Sequence, residues 1–509
     1  MSQPRSILLI TVDCLRADHV GFLGYDQPTT PFLDALAKQS VVFPTAIVAG
    51  APTYFSFPAI MAGRYPLSLG RDVIGLSPNE PTLGTVLNEC GYATAAFVAG
   101  NPYLSRRFGY HAGFGVFRDF LEFQAKRVSG PNPRSPRLRG RLNRELKALL
   151  RKLGPLGSVY NELYFQYCQR VASPHVASVD GLRPFPSADR VVDSAAQWLT
   201  GVAKPFFLWL HLMDPHAPYC PPAEALDWMD GEAYAPSRIR YLNSYWNRGD
   251  LRPRHLSRHT HEIVALYDAS IRWVDAQIAR LVGILRNLDL FGDCLLALTA
   301  DHGEQFLEHG RRYHPPSSLP EEVVRVPLLL HVPGTAPRPS PDSPFSLLHL
   351  APTLLGAAGV AIPPAFEGRN LWPQISQGSS WEDTVVTETI AGCTNPFRHE
   401  DRLGPRTLVV RDRRYKLILD FGCYRDRLFD LVADPGERRP LPEDIERPAR
   451  RRLLEWARVH LQKSKSQTAE ARIGARLQEF RQVWLAGSHP DQTEVASPEN
   501  GVLLDVTAS

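Results

Sequence analysis

A chain of 509 residues is long enough to bury a large hydrophobic core, in one large domain or in several smaller ones. Hydrophobic residues make up 44% of it and charged residues 22%, a balance typical of a globular protein that folds without a partner. The 57 Lys and Arg against 53 Asp and Glu leave a formal net charge of +4, which is too small to favour nucleic acid as a ligand.

The seven cysteines are scattered and include no CxxC pair, a pattern that predicts reduced thiols. The first apolar run, at residues 7–12, ends at Asp13 and is too short for the hydrophobic region of a signal peptide. No run of eighteen apolar residues follows, so the sequence predicts no membrane-spanning helix. We therefore expect a cytoplasmic location.

Three apolar runs are each followed by residues that bind metals or phosphate groups. The runs, with the residues that follow them, are 6–12 with Asp13, 206–213 with Asp214 and His216, and 294–300 with Asp301 and His302. Such runs are typical of buried parallel strands, and ligands of open α/β sheets gather beyond the carboxyl ends of the strands. We expect the three strand ends to converge on one site.

Helical patterns separate these runs. Thr30 can cap a helix that has Pro31 at its first position, and residues 261–285 carry apolar residues at three- and four-residue spacing. The alternation of strands and helices predicts a mostly parallel sheet covered by helices.

Later in the chain the pattern changes to short β-like runs separated by charged turns. These runs predict a small antiparallel subdomain and cover residues 407–410, 415–419 and 428–431. The predicted division is a catalytic domain over 1–375, the antiparallel subdomain over 376–440, and a helical extension with a polar tail over 441–509.

A basic helical insertion is predicted at about residues 120–185 of the catalytic domain. Within it, residues 126–152 hold ten Lys or Arg with only Glu145 opposing them. One interpretation is a solvated surface insertion. The alternative is a lid, or a docking surface for an anionic substrate, a membrane surface or another polyanion, because the leucines of this segment can form one apolar helix face.

Four residues offer a metal site with a nucleophile. Asp13, Asp301 and His302 follow strands and provide two carboxylates and an imidazole, ligands that suit Zn²⁺, Mn²⁺ or a similar ion. Thr53 precedes an apolar helical stretch and is predicted as its N-cap, where backbone N–H groups and positive potential favour an anion. A bound metal would acidify the Thr53 hydroxyl, as a weak nucleophile requires.

These residues stand in an ordered set of motifs. In chain order the set includes Asp13 with Arg16 and Asp18, Thr29-Thr30-Pro31, Gly63-Arg64-Tyr65-Pro66, Asp214-Pro215-His216, Asp301-His302-Gly303-Glu304, Glu321-Glu322, and Asp434-Pro435-Gly436-Glu437. With these motifs the chain resembles the sulfatase family of the alkaline phosphatase superfamily. The resemblance implies an α/β fold, an alkaline-phosphatase-like sandwich with a mostly parallel central sheet flanked by helices and a small C-terminal antiparallel subdomain. It also implies an enzyme that hydrolyses ester bonds.

The resemblance assigns the metal ligands. Asp13, Asp301 and His302 match the family's ligands, and Thr53 matches the nucleophile that lies at the metal. We expect one divalent ion, with two ions as the alternative. The sequence does not distinguish Zn²⁺, Mn²⁺ and Ca²⁺.

The resemblance also assigns the remaining catalytic residues. His216 matches the histidine that the family places against the sulfuryl or phosphoryl group. His314 resembles the His or Lys that contacts the substrate oxyanion or the leaving group. Asp214 and His314 are the candidate ligands of a second ion.

The sequence departs from the family pattern at the nucleophile. Sulfatases convert the cysteine of a C-x-P-x-R motif to formylglycine, whereas residues 53–57 read Thr, Tyr, Phe, Ser and Phe. A threonine cannot yield formylglycine. Cys14 replaces the second carboxylate of the family's Asp-Asp pair and is predicted as a small buried filler, with a ligand or redox role as the alternative. Ala99 and Asn101 replace the usual Lys and His, so the anion pocket loses positive charge.

Threonine nucleophiles occur in the superfamily's phosphodiesterases, nucleotide pyrophosphatases and phosphoethanolamine transferases. The sequence therefore predicts a metal-dependent hydrolase of anionic phosphate or sulfate esters, with phosphoester or phosphodiester hydrolysis favoured. A phospho-group transferase of the same superfamily and a catalytically inactive binding module are the alternatives. No nucleic-acid partner is expected, and the oligomeric state is not predicted.

Overall fold

The computed structural model describes residues 5–122, 155–169, 178–226, 234–381 and 384–465. The basic segment 126–152 and the predicted polar tail beyond residue 465 lie outside the described residues. Fifteen strands lie in the described ranges and form sheets of nine, four and two strands.

The strands are numbered in chain order. They are β1 (Ser6–Val12), β2 (Val41–Ile47), β3 (Ala93–Val98), β4 (Val116–Arg118), β5 (Phe206–Leu212), β6 (Cys294–Ala300), β7 (Gln305–Phe306), β8 (Arg312–Tyr313), β9 (Arg325–His331), β10 (Arg338–Pro339), β11 (Phe345–Ser346), β12 (Val385–Ile390), β13 (Arg406–Arg411), β14 (Tyr415–Asp420) and β15 (Arg425–Asp430).

The α-helices are numbered in the same way. They are α1 (Pro31–Ala37), α2 (Thr53–Ala62), α3 (Leu83–Glu89), α4 (Pro155–Tyr167), α5 (Ala188–Leu199), α6 (Pro236–Trp246), α7 (Pro253–Leu256), α8 (Thr260–Asn287), α9 (Glu321–Val324), α10 (Leu350–Ala357), α11 (Trp372–Gln377) and α12 (His399–Arg402). Residues 447–465 are also helical.

The central sheet has nine strands, in the order β10-β2-β9-β6-β1-β5-β3-β4 with β11 beside β2. Its middle strands β6, β1, β5 and β3 run parallel, while β9 pairs antiparallel with β2 and β6. Every residue of β1, β5 and β6 is buried, as expected for apolar strands covered on both faces. The predicted α/β fold class with a mostly parallel sheet is confirmed.

The three predicted strand ends lie next to each other. Val12 at the end of β1 pairs with Leu212 of β5 on one side and with Ala300 of β6 on the other. The residues that follow these three strands therefore emerge at the same edge of the sheet, where ligands of α/β proteins commonly bind.

Helix α8 confirms the predicted helical segment at 261–285. Its buried Asp275 accepts hydrogen bonds from the backbone N–H groups of Phe32 and Leu33, both at 2.9 Å. These donors belong to the first turn of α1, whose N-cap is Thr30 as predicted. Asp275 thus satisfies N–H groups that have no acceptor within their own helix.

The small sheet is antiparallel, in the order β12-β13-β14-β15, and includes the predicted β-like runs. One face packs against helix 447–465 through a cluster that contains Leu408, Leu417 and Leu453. Its edge strand β12 contacts the loop that leads into α2: Glu388 N donates to Ala49 O at 3.0 Å.

Gly50 lies in this loop between β2 and α2. A Cβ atom at residue 50 would lie 2.5 Å from Phe55 O, 2.9 Å from Pro66 Cγ and 3.0 Å from Glu388 O. Because two of these atoms belong to the backbone, the close packing of the small sheet on the loop requires glycine here.

In the described ranges no helix combines the length and the apolar character that crossing a lipid bilayer requires. Each of the seven cysteines is unpaired.

Candidate active site and metal centre

Asp13 follows β1 and is completely buried. Its Oδ2 accepts a hydrogen bond from Asn101 Nδ2 at 3.0 Å and lies 3.3 Å from His211 Nε2. Its Oδ1 accepts from the Cys14 thiol at 3.1 Å. Burial by itself would raise the pKa of Asp13, but the contact with His211 and the charges of nearby histidines hold this pKa well below its usual value. Asp13 is therefore ionised.

Asp301 and His302 follow β6 and are also completely buried. Asp301 Oδ1 accepts from His302 N at 3.0 Å, whereas Oδ2 has no hydrogen-bond partner among the described residues. Burial and the charge of Asp13 raise the pKa of Asp301. His302 Nδ1 lies 2.9 Å from Gly303 O, and because a carbonyl only accepts, Nδ1 carries the hydrogen and Nε2 keeps its lone pair.

Thr53 is the first residue of α2, and its predicted role as the N-cap is wrong by one position. The carbonyl of Pro52 accepts from Phe55 N at 2.8 Å and begins the helix, so Pro52 is the N-cap. The Thr53 hydroxyl is thereby free of a capping bond and lies 3.2 Å from His302 Nε2.

The donor atoms of Asp13, Asp301 and His302 all lie within 4.8 Å of one another. Two carboxylates are buried at this separation, and one of them has an oxygen without a hydrogen-bond donor. The free energy of such an arrangement is unfavourable unless a cation lies nearby. Carboxylate oxygen and imidazole nitrogen are ligands of divalent metals. The residues present therefore fit a divalent ion.

Cys14 has a larger part in the site than the sequence indicated. Its backbone has a positive φ of 61°, which directs the chain away from β1 directly after Asp13. Its sulfur lies 3.4 Å from His314 Nδ1 and 3.8 Å from His302 Nδ1. Burial and the charges of Glu304 and Asp13 raise the pKa of the thiol well above its usual value, so it stays protonated. The signal in the sequence was its position next to Asp13.

His216 and His314 line the same cavity as Thr53, a cleft of about 460 Å³. Their ring centroids are 5.3 Å apart. His216 Nδ1 lies 2.6 Å from Ala217 O, so this nitrogen carries a hydrogen and leaves Nε2 available. His314 Nδ1 lies 3.4 Å from Glu304 Oε1. The structure thus brings together Asp13, Thr53, His216, Asp301, His302 and His314.

Sequence reasoning missed two residues that contact Asp13. His211 lies within the apolar strand β5, where nothing in the pattern distinguishes it from a core residue; its Nδ1 lies 3.0 Å from Thr11 Oγ1. Asn101 was interpreted only as the loss of a family histidine, although its amide donates to Asp13. Phe57 stands where the family motif has arginine, and its ring packs edge-on against His211 with centroids 5.1 Å apart.

Asp214 was a candidate ligand for a second ion. Its Oδ1 accepts from Ala188 N at 3.2 Å and from Ser187 Oγ at 3.3 Å, at the beginning of α5. Arg183 Nη1 lies 3.8 Å away. Asp214 belongs to none of the close groups of metal-binding side chains in the described ranges, so it caps a helix instead.

Comparisons with known proteins agree with this geometry. The family model Sulfatase matches residues 5–360, and the model N-sulphoglucosamine sulphohydrolase, C-terminal, matches residues 310–463. Arylsulfatase of Clostridium perfringens (strain 13 / Type A) is 26% identical over 459 residues, which cover 85% of this chain and 89% of that protein.

Arylsulfatase K of Mus musculus is 29% identical over 272 residues; the match covers 48% of this chain, and the chain spans about half the length of that relative. Among solved structures, the phosphonate monoester hydrolase of Agrobacterium radiobacter superposes with a TM-score of 0.65 at 20% identity, covering 91% of this chain and 96% of that one. The matched proteins are hydrolases of ester bonds. Because the Sulfatase model spans well over half of the sequence, the chain belongs to the sulfatase family of the alkaline phosphatase superfamily, whose members are generally metal-dependent ester hydrolases.

Proposed function

We propose that this protein is a metal-dependent hydrolase in which the Thr53 hydroxyl attacks an anionic ester, with phosphoesters or phosphodiesters preferred to sulfate esters. The observation that carries this proposal is the 3.2 Å contact between Thr53 Oγ1 and His302 Nε2, beside the buried carboxylates of Asp13 and Asp301. It joins a hydroxyl that lines the cavity to a buried set of metal-binding side chains.

The position of Thr53 favours attack on an anion. The hydroxyl stands at the first residue of α2, where backbone N–H groups lack helical acceptors and the helix dipole is positive. The carboxylate of Asp301 lies beside the Thr53 hydroxyl and can accept its proton. The lone pair of His302 Nε2, 3.2 Å from the hydroxyl oxygen, is left for the ion. A divalent ion held by Asp13, Asp301 and His302 would supply positive charge that acidifies the hydroxyl and stabilises the charge that develops on the ester.

His216 and His314 are placed to protonate the leaving group. Both line the cavity beside Thr53. His216 Nδ1 donates to Ala217 O, whereas His314 Nδ1 lies 3.4 Å from the Cys14 sulfur and 3.4 Å from Glu304 Oε1. A proton on Nε2 of either ring could pass to the leaving oxygen as the bond from Thr53 Oγ1 to phosphorus forms and the ester bond breaks. Water would then hydrolyse the phosphothreonine; an acceptor alcohol in its place would make the protein a transferase.

One feature favours phosphorus over sulfur as the reacting centre, and a second favours diesters among the phosphorus esters. No cysteine occupies position 53, and the raised pKa of the Cys14 thiol makes it a poor nucleophile. Phe57, Ala99 and Asn101 remove cations that the family places around the anion. A phosphodiester carries one negative charge where a phosphate monoester carries up to two, so a pocket with fewer cations suits the diester.

The test is a panel of aryl phosphate monoester, phosphodiester, phosphonate and sulfate substrates, assayed with several divalent ions. We expect phosphorus esters to be turned over fastest, and Thr53→Ala to lower kcat by at least about 1,000-fold because no other group supplies the attacking oxygen. Thr53→Ser should retain part of the activity. The exposed Thr200→Ala serves as the matched control.

Full metal-dependent turnover by Thr53→Ala would exclude the proposed nucleophile. A sulfate ester at the head of the ranking would contradict the preference for phosphorus while leaving the nucleophile intact. A protein that binds no stoichiometric metal and turns over none of these esters would be an inactive binding module.

A further inference from the structure

The hairpin of β7 and β8 carries a charged residue to the rim of the candidate active site. Arg312 lies in β8 and lines the same cavity as Thr53 and His216. The other lining residues in the described ranges are aromatic, proline, histidine or small neutral side chains, so Arg312 is the one with a permanent charge. This guanidinium is therefore available to select substrates.

Arg312 lacks an acidic partner. No carboxylate of the described residues lies within 4.0 Å of it, and its Nη1 is shielded from solvent without a hydrogen-bond partner. Its Nη2 donates to Arg248 O at 3.3 Å. By contrast, Arg248 pairs with Asp250 at 2.8 Å and with Glu162 at 2.5 Å. Because no carboxylate of the described residues compensates its charge, the part of the Arg312 guanidinium that lines the cavity can bind an anionic group.

The contacts of Arg312 place it away from the reacting group. Its guanidinium lies over the rings of Trp246, at 5.9 Å, and of Tyr313, at 5.6 Å. None of its described contacts involves Asp13 or Thr53. Arg312 is therefore available to bind a part of the substrate other than the phosphoryl or sulfuryl group.

The walls of the cavity that Arg312 and Thr53 line are flat and largely apolar. Tyr54, Tyr103 and Phe185 line the cavity together with several prolines. The rings of Tyr54 and Tyr103 pack edge to face, with centroids 5.0 Å apart, which fixes their orientation. Such surfaces suit a ring-shaped organic group.

We infer that Arg312 forms a second anion subsite, which binds a carboxylate or similar anionic oxygen group on a ring-bearing portion of the ester substrate. This inference rests on the proposed function and narrows its substrate class to esters of ring compounds that carry one further negative charge. The planar guanidinium can bind a carboxylate through two parallel hydrogen bonds.

The test uses two aryl esters of the kind that the protein turns over best. They differ by one carboxylate on the leaving-group ring. A second ring substituent is chosen so that the two leaving groups have the same pKa. We expect Arg312→Met to raise KM for the carboxylated ester by at least about tenfold, because a charge-assisted hydrogen bond is lost. The KM for the ester that lacks the carboxylate should not change. Arg312→Lys should recover part of the loss. Arg311→Met is the matched control, since Arg311 is exposed on the same hairpin and bonds to Ser317.

An equal loss of kcat/KM for both esters would overturn the inference, because Arg312 would then act on the transferred group. No loss for either ester would overturn it as well. If Arg312→Met does not fold, as judged by thermal melting, Arg312→Gln replaces it.

Binding separates this inference from the proposed function. Affinities of the two esters for Thr53→Ala protein, with and without Arg312→Met, are measured by isothermal titration calorimetry. Tighter binding of the carboxylated ester that is lost in Arg312→Met supports the subsite. This holds even if the unsubstituted protein turns over no ester. In that case only the proposed function fails. Equal affinities throughout would reject the subsite whatever the activity.

Discussion

Asp214 shows how burial sets the charge of a residue beside the candidate site. Its Oδ2 has no hydrogen-bond partner in the described ranges, and burial raises its pKa from 3.8 to about 6 although Arg183 opposes the rise. The folded protein therefore binds a proton more tightly than the unfolded chain does. The stability that this proton contributes is fully present below pH 3.8 and is lost as the pH rises through 6.

We expect Asp214→Asn to remove this pH dependence. The free energy of unfolding of the unsubstituted protein, relative to that of the variant, should fall by roughly 3 kcal/mol between pH 4 and pH 8. Urea unfolding at several pH values measures the difference, and comparing the two proteins cancels the other titrating groups. Parallel pH profiles would show that Asp214 does not titrate in this range.

Asp301 is the residue whose loss should most directly weaken metal binding. Asp301→Asn removes one negative charge and keeps the shape of the side chain. We expect an affinity for divalent ions lower by at least about tenfold, measured by equilibrium dialysis and elemental analysis. Asp214→Asn is the control, because it neutralises a buried carboxylate after a neighbouring strand. Unchanged metal content in Asp301→Asn would place the ion elsewhere.

The individual residues of the site were predictable to different degrees. Asp13, Asp301 and His302 follow apolar runs, so sequence order alone placed them at strand ends. Thr53 was identified, but its position relative to the helix was not, because the carbonyl of Pro52 begins the helix. His211 could not have been found from the sequence, since a histidine inside a buried strand becomes part of the site only through the pairing of β5 with β1.

At the scale of the elements, ion pairs of a buried lysine connect the small sheet to helix α9, which directly precedes strand β9 of the central sheet. Lys416 of β14 is completely buried, and its Nζ lies 2.9 Å from Glu437 Oε1 and 3.1 Å from Glu321 Oε1 at the beginning of α9. Arg411 approaches the same Glu321 at 3.2 Å. A buried ion pair of this kind contributes little net free energy when intact, but removing one partner leaves charge without compensation.

We expect Lys416→Met to lower the free energy of unfolding by about 3–5 kcal/mol, because the buried Glu437 would lose its cationic partner and Glu321 would keep only Arg411. Urea denaturation measures the change, with the exposed Lys38→Met as control. A loss no greater than that of the control would show that solvent reaches the two glutamates.

The order of strands and helices was readable from the sequence because each element has its own periodicity. Apolar runs predicted the buried strands, and the spacing at 261–285 predicted α8. The attachment of β12 to the loop before α2 had no such signal. It depends on contacts between residues far apart in sequence, such as the bridge between Gly50 and Glu388.

For the whole molecule, we expect the clustered carboxylates to make stability depend on a bound divalent ion. Asp13 and Asp301 are both buried, and Asp301 keeps an oxygen without a donor, so chelation would leave two unfavourable charges in the core. Dialysis against EDTA should abolish ester hydrolysis and lower the melting temperature, because an ion that binds only the folded state stabilises it. Adding back the divalent ion should restore both.

A sample whose melting temperature and activity are insensitive to EDTA, and whose metal analysis shows no ion, would contradict a metal-dependent mechanism. Dialysis against EDTA that has first been saturated with the divalent ion that restores activity is the control for effects of the chelator itself.

The contact of the small sheet with the loop before α2 has a consequence for how the protein matures. The hydroxyl of Thr387 donates to Val48 O across 339 positions of sequence, so the backbone just ahead of Thr53 is held by residues that the ribosome adds late. An N-terminal portion that has left the ribosome without β12 lacks this support. The reactivity proposed for Thr53 should therefore arise only after synthesis has passed β12.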